Sequence, residues 1–163
     1  MRKIIIGVMG PGNGAISSDL KNAYQLGQLI AERGWVLLTG GRKSGVMDAA
    51  TQGAKAANGL TIGILPDEGE GSISDGVDIA IFTGMGSARN NINVLSSDAV
   101  IACGIGSGTA SEIALALKAD KSVILLNNDR TSQEFFRKLA PDRVLLASTS
   151  EEAIAIASKL VKV

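Results

Sequence analysis

Seven short runs of nearly unbroken branched aliphatic residues, each set off from the next by polar or glycine-rich sequence, most restrict what this chain can fold into. They are "KIIIGVM" (3–9), "WVLLTG" (35–40), "LTIGIL" (60–65), "VDIAIF" (77–82), "DAVIAC" (98–103), "SVILLN" (122–127) and "RVLLAS" (143–148). A strand with one solvated face alternates apolar and polar residues. Runs this continuous in Val, Ile and Leu belong to strands covered on both faces. Helical patterns fall at 17–33, 45–58, 88–97, 109–119, 131–139 and 150–161. Strand–helix alternation of this kind builds a parallel sheet with helices on either side. The expectation is a doubly wound α/β fold of about seven strands, formed by one domain over residues 1–163. No linker and no fixed-period repeat interrupts the pattern. The one long non-periodic stretch, "PDEGEGSISDG" (66–76), reads as a mobile surface loop.

The connections are of two kinds. Those from helix to strand are plain: "ERGW", "ANGLT", "KADKS" and "APDR". Those leading out of strands are rich in glycine and polar residues: "MGPGNG", "TGGRKSG", "TGMGSARN" and "CGIGSGT". In a parallel sheet every strand-to-helix loop emerges at the carboxyl edge, where open α/β folds bind ligands. Four glycine-rich loops at one rim are the strongest functional signal in the chain.

Composition narrows what such a rim can do. Sixteen basic and sixteen acidic residues cancel, so no charged footprint for DNA or RNA is present. One Trp, one Tyr and three Phe supply few platforms for stacking bases. Histidine is absent, which excludes imidazole general-base chemistry, Ser-His-Asp triads and His-ligated metal within one chain. A single cysteine, Cys103, forms no internal disulfide and suits a reducing compartment. It ends an apolar strand and reads as a buried, inert thiol. The N-terminal apolar run breaks at Gly10-Pro11, so it reads as a first strand and not as a signal peptide. No apolar stretch is long enough to span a bilayer. A soluble, cytoplasmic protein is expected.

Each glycine-rich loop offers residues suited to a phosphate. In the last of them, Gly106, Ser107, Gly108 and Thr109 precede a helix, and Thr109 with Glu112 fits a capping box. These residues either tie off a tight turn or turn free amides and the helix dipole toward an anion. The loop is not a G-x-G-x-x-G after a first strand, and no Walker lysine accompanies it. In the second loop Gly40 and Gly41 allow close backbone approach, and Gly45 follows them. There Ser44 can cap a helix carrying Met47 and Asp48, and Arg42 and Lys43 lie beside its start. Gly10 and Gly12 occupy the first loop. In the third, Ser87 reads as an N-cap, which puts Arg89 in a first turn where the macrodipole opposes a cation. Asn90 and Asn93 lie on or near the same side and offer amide hydrogen bonds. Asp67, Glu68 and Glu70 read as solvated charges, with a divalent-cation site as the alternative.

"GGRKSGVMDAA", "SARN" and "GSGTASE", in that order, resemble the SLOG superfamily, which includes the lonely-guy phosphoribohydrolases and DprA. The resemblance covers nearly the whole chain and implies a Rossmann-like fold. It is nearest to the molybdenum cofactor carrier proteins and their bacterial relatives. In the lonely-guy enzymes, residues corresponding to Arg89 and Glu112 serve cleavage of a nucleoside 5′-monophosphate into base and ribose 5-phosphate. Their loop usually reads P-G-G-x-G-T-x-x-E, and a lysine usually follows the arginine. Here the loop runs Gly104-Ile105-Gly106-Ser107-Gly108-Thr109-Ala110-Ser111-Glu112, and Asn90 follows Arg89. That form is similar to the carrier branch, whose members bind the phosphorylated pterin dithiolene without transforming it.

The resemblance implies a cofactor-binding set of Gly10, Gly12, Gly40, Gly41, Arg42, Gly45, Met47, Arg89, Asn90, Asn93, Gly106, Ser107, Gly108, Thr109 and Glu112, with no metal ligands. The ligand implied is molybdenum cofactor (molybdopterin) or another phosphorylated, nucleotide-like molecule. Arg89 and Glu112 would be catalytic in a hydrolase, and a nucleotide-sensing module is a third implication. Homodimers or homotetramers are implied, with molybdoenzymes or cofactor-synthesis proteins as partners and neither nucleic acid nor membrane.

Overall fold

The computed structural model describes residues 2–69, 71–126 and 129–161. The strands are β1 (Ile5–Met9), β2 (Val36–Thr39), β3 (Leu60–Leu65), β4 (Ile79–Phe82), β5 (Ala99–Cys103), β6 (Val123–Leu126) and β7 (Val144–Ala147). The helices are α1 (Ser17–Glu32), α2 (Gly45–Ala56), α3 (Arg89–Ser96), α4 (Ser107–Lys118), α5 (Arg130–Leu139) and α6 (Ser150–Leu160). Each expected strand and helix is present, with ends within about two residues of the pattern. The expected strand end at Asn127 lies outside the described residues. Among the described residues no helix is long and apolar enough to cross a membrane.

All strand pairs are parallel, in the order β4-β3-β2-β1-β5-β6-β7. The period-two alternation of a strand sends successive side chains to opposite faces, and both faces are covered. Ile6 and Val8 of β1 pack with Leu26 and Ile30 of α1, Ala50 and Ala54 of α2, and Ile154 of α6. Met9, on the other face, packs with Val94 of α3, Ile113 and Ala116 of α4, and Phe136 of α5. This is the doubly wound arrangement, and it explains the unbroken aliphatic runs.

Three features of this frame position the site. Strand order reverses between β1 and β5, so the loops after those strands diverge and leave a crevice at the carboxyl edge. Second, α1 and α2 cross on glycines. A side chain at Gly27 would overlap the Ala50 carbonyl, and one at Gly53 the Tyr24 carbonyl. The helix backbones therefore touch, which draws the start of α2 onto the β1 loop. There Val46 N–H donates to the Pro11 carbonyl at 3.0 Å. Gly45, at φ 53°, has no room for a side chain against the Pro11 and Gly12 carbonyls.

Third, the stretch 66–76 is not a loose loop. Lys43 N–H donates to the Ser72 carbonyl at 2.7 Å, Ser74 N–H donates to the Gly41 carbonyl at 2.9 Å, and Arg42 and Ile73 form an antiparallel bridge. Ser74 is buried, and its hydroxyl donates to Asp48 Oδ1 at 2.5 Å. The segment is stitched to the β2–α2 loop and forms one wall of the cleft. Glu70 lies outside the described residues.

Candidate functional site

The crevice at the β1/β5 switch point is a cavity of about 200 Å³. Gly10, Pro11, Gly12 and Asn13 line it from the β1 loop, Met47 from α2, Arg89 and Asn90 from α3, and Gly106–Thr109 and Glu112 from α4. Gly12, Asn13, Met47 and Arg89 also line an adjoining cleft of about 680 Å³, closed on its far side by Arg42, Lys43, Asp67 and Ser72. A small polar chamber thus opens into a larger one, with Arg89 and Met47 at the junction.

The small chamber is built on the start of α4. Thr109 was expected as N-cap of a helix beginning there, closed by Glu112. The helix instead begins at Ser107, with Gly106 as N-cap and no side-chain cap. Glycine accounts for the difference: it takes the extended N-cap conformation but leaves no capping side chain to announce itself in sequence. Because the first helical bond is Ala110 N–H to the Gly106 carbonyl, the amides of Ser107, Gly108 and Thr109 precede it. Thr109 is third in the helix, 2% exposed, and its buried hydroxyl has no hydrogen-bond partner among the described residues. An orphaned hydroxyl among free helix-start amides is an arrangement that an anion completes.

Opposite stands α3. Its cap is Ala88, preceded by a 3₁₀ turn at Gly86–Ala88, so Ser87 does not cap as the sequence pattern predicts. Arg89 is nevertheless the first helical residue, as expected, and is 8% exposed. Its buried Nε lacks a partner among the described residues. Burial holds its pKa below the usual guanidinium value; Glu112 and Asp67 oppose that shift and Arg42 adds to it. A guanidinium remains charged even so. A buried cation at the positive end of a helix, with a donor unused, is a costly placement that a bound anion offsets.

Glu112 forms the floor. Its Oε1 accepts from Asn93 Nδ2 at 2.9 Å, joining α3 to α4 behind the cavity. Burial drives the Glu112 pKa up to about 7, against the smaller lowering effects of the Asn93 hydrogen bond and the Arg89 charge. Asn93 is fully buried and touches the site only through Glu112. Asn90 Nδ2 donates to Ser111 Oγ at 2.9 Å, holding the same two helices together nearer the rim.

The β2 loop supplies framework as well as lining. A side chain at Gly40 would overlap the Arg89 guanidinium and Met47 Sδ, so this glycine makes room for Arg89. Gly41, at φ 75°, packs its backbone on Gly63 of β3 and faces away from the cavity. Ser44 stands at the α2 N-cap position as expected, but its hydroxyl meets Asn13 Oδ1 at 3.2 Å and does not cap the helix. Arg42 reaches Asp67 at 3.2 Å. The pairing of Asp67 with Arg42, and its acceptance of the Ser72 hydroxyl at 3.3 Å, show a wall residue where a solvated charge was expected.

Pro11, Asn13, Lys43, Ser44, Asp67, Gly71 and Ser72 line the two spaces but lie outside the binding set read from sequence. Pro11 and Asn13 belong to "MGPGNG", Lys43 and Ser44 to "TGGRKSG", and Asp67, Gly71 and Ser72 to the non-periodic stretch 66–76. Cys103 is fully buried beneath the site, with its thiol pKa pushed up to about 12 by burial, which makes it inert as expected.

Fold and site together define a doubly wound α/β ligand-binding protein with an anion-suited chamber at the switch point. The chain belongs to the SLOG cluster4 family, whose model matches residues 3–154. It is similar, at 65% identity and a TM-score of 0.98, to the molybdenum cofactor binding protein from the phototrophic bacterium Rippkaea orientalis; 99% of each chain is covered. It is also similar to the molybdenum cofactor carrier protein of Chlamydomonas reinhardtii, at 52% identity and a TM-score of 0.92 over 98% of this chain and 99% of that one. An uncharacterized protein of Archaeoglobus fulgidus is 48% identical over 77% of this chain and 82% of its own length.

Proposed function

We propose that this protein binds molybdenum cofactor as cargo and holds it without transforming it. The observation that carries the reading is the α4 start, where three amides ahead of the first helical bond surround the orphaned Thr109 hydroxyl. Those groups suit the cofactor's phosphate, and the unpaired Arg89 Nε suits the same charge. The adjoining cleft of about 680 Å³ has room for the fused heterocycle. Gly10, Gly12, Met47 and Asn90 line the chamber, and Arg42 closes the cleft. Gly40, Gly41, Gly45 and Asn93 keep the loops and Glu112 in place. The choice of cargo rests on the two relatives that are named for this cofactor. Mass spectrometry of the protein purified without oxygen tests it: a bound species of molybdopterin mass supports the reading, and a nucleotide in its place contradicts it.

A hydrolase reading is favoured by one observation. Glu112 titrates near 7, where a general acid works best, and shares its cavity with Arg89. The capping box that would have occupied Glu112 does not form, so it does not count against hydrolysis. What disfavours hydrolysis is the tie of Glu112 to Asn93, together with a Gly104-Ile105 segment that departs from the lonely-guy loop.

The protein acts as a homodimer or homotetramer in this reading, handing cargo to molybdoenzymes or cofactor-synthesis proteins. Leu95 on α3 and Met85 just before it, each 52% exposed, offer apolar side chains to a partner copy. Light scattering at micromolar concentration should show more than the 16.7 kDa of one chain, and that mass alone would contradict assembly. The unpaired, buried Cys103 suits the reducing cytoplasm.

A further inference from the structure

Thr109 and Glu112 lie three residues apart on one face of α4, and both line the small chamber. The Thr109 hydroxyl and the helix-start amides make that chamber attractive to an anion, yet its floor is a carboxyl group. Among the described residues no guanidinium or ammonium approaches this carboxyl within the 4.0 Å of an ion pair. Among the described residues its one hydrogen-bond partner is the Asn93 amide, whose own buried Oδ1 finds no donor there. Glu112 is 6% exposed, so water does not screen it. A phosphate drawn into about 200 Å³ beside an ionised carboxylate would meet strong repulsion. A neutral carboxylic acid there does the opposite, because its O–H donates to an anionic oxygen.

Resting on the phosphate chamber described above, we propose that Glu112 enters the complex as a neutral acid and donates a hydrogen bond to the ligand's phosphate, so that binding takes up one proton. The charged groups around it are Arg89 from α3 and, across the adjoining cleft, Arg42, Lys43 and Asp67. Asp19 of α1 lies behind Gly104, and Cys103 ends β5 beneath it. The proton is available close to neutrality, since burial already raises Glu112 to about 7. Affinity is therefore full below that value and falls as pH rises through it. The chamber selects for anions that accept a hydrogen bond and releases them on deprotonation.

Sulfate is the probe, because its charge is constant from about pH 5.5 to 8.5 while Glu112 titrates. In calorimetric titration of the full chain, wild-type affinity should be flat below about pH 7 and fall roughly tenfold per unit above it. Glu112→Gln keeps a neutral donor in the same place and should bind sulfate with a flat profile. At about pH 8, two buffers of different ionisation enthalpy should report about one proton taken up per sulfate by the wild type and none by the variant. Sulfate binding by the wild type with neither slope nor proton uptake overturns this inference while leaving the anion chamber standing. A slope retained by a folded Glu112→Gln overturns it as well. If the variant does not fold, the wild-type buffer pair decides alone. No sulfate binding at any pH overturns the chamber and this inference together.

Discussion

Arg89→Ala should weaken cofactor binding by roughly 1–3 kcal/mol, about five- to 150-fold in dissociation constant. Arg89 is 8% exposed, lines the chamber and leaves Nε without a partner among the described residues. Its bond to a phosphate is therefore charge-assisted and shielded from water, the condition under which such bonds are strongest. The loss should be specific to the charge. Arg89→Lys keeps a cation but not the planar fork, and should fall between wild type and alanine. Gly40 leaves space for the guanidinium, so the alanine variant loses side-chain packing against Met47 without forcing the backbone to move. Anaerobic titration of the cofactor into each protein measures the effect. Equal affinity in wild type and Arg89→Ala would mean that the cargo does not use this chamber.

Glu112→Gln should raise stability at pH 8 by on the order of 3 kcal/mol, while leaving it nearly unchanged at pH 4. Burial raises the folded-state pKa of Glu112 from 4.5 to about 7. Between those values the folded chain keeps a proton that the unfolded chain has released, so wild-type stability declines as pH rises through the window and levels off above it. Below 4.5 both states are protonated and the cost vanishes. Glutamine has the same shape, can still accept from Asn93 Nδ2, and carries no charge at any pH. Denaturant unfolding at the two pH values measures the difference. Coincident curves at pH 8 would show that Glu112 is not held in a desolvated site.

The parts of this architecture carried by side-chain pattern were legible in sequence. The runs around Ile5–Met9 and Ala99–Cys103 announce doubly covered strands, and the glycine-rich loops that follow them announce the rim. The parts carried by backbone were hidden. The α4 start at Ser107 is capped by Gly106, which contributes no side chain to a motif. The 66–76 segment is fastened by the Lys43 and Ser74 amides, and hydrogen bonds of that kind leave no periodicity. Asp67 looks like any acidic loop residue until Arg42 lies 3.2 Å away. The Asn93–Glu112 bond joins residues 19 apart that meet only because α3 and α4 flank β5. It gives Glu112 a role that its apparent capping box concealed.

The proposed role requires that the chamber hold a phosphorylated heterocycle and leave it intact. Release of ribose 5-phosphate from AMP and related nucleoside monophosphates decides between holding and hydrolysis. Hydrolysis requires the Glu112 carboxyl to meet a ribose while the phosphate rests on the α4 amides, and a displacement of about 1 Å is enough to cost on the order of 10²-fold in rate. The Asn93 bond fixes the Glu112 carboxyl against α3, whereas the α4 amides and the Arg89 guanidinium can hold a phosphate whether or not that carboxyl meets a ribose. No turnover above background is the predicted result. Turnover of about 1 per second, in the ordinary range for enzymes, and its loss in a folded Glu112→Gln would rule out the carrier role and make this protein a phosphoribohydrolase.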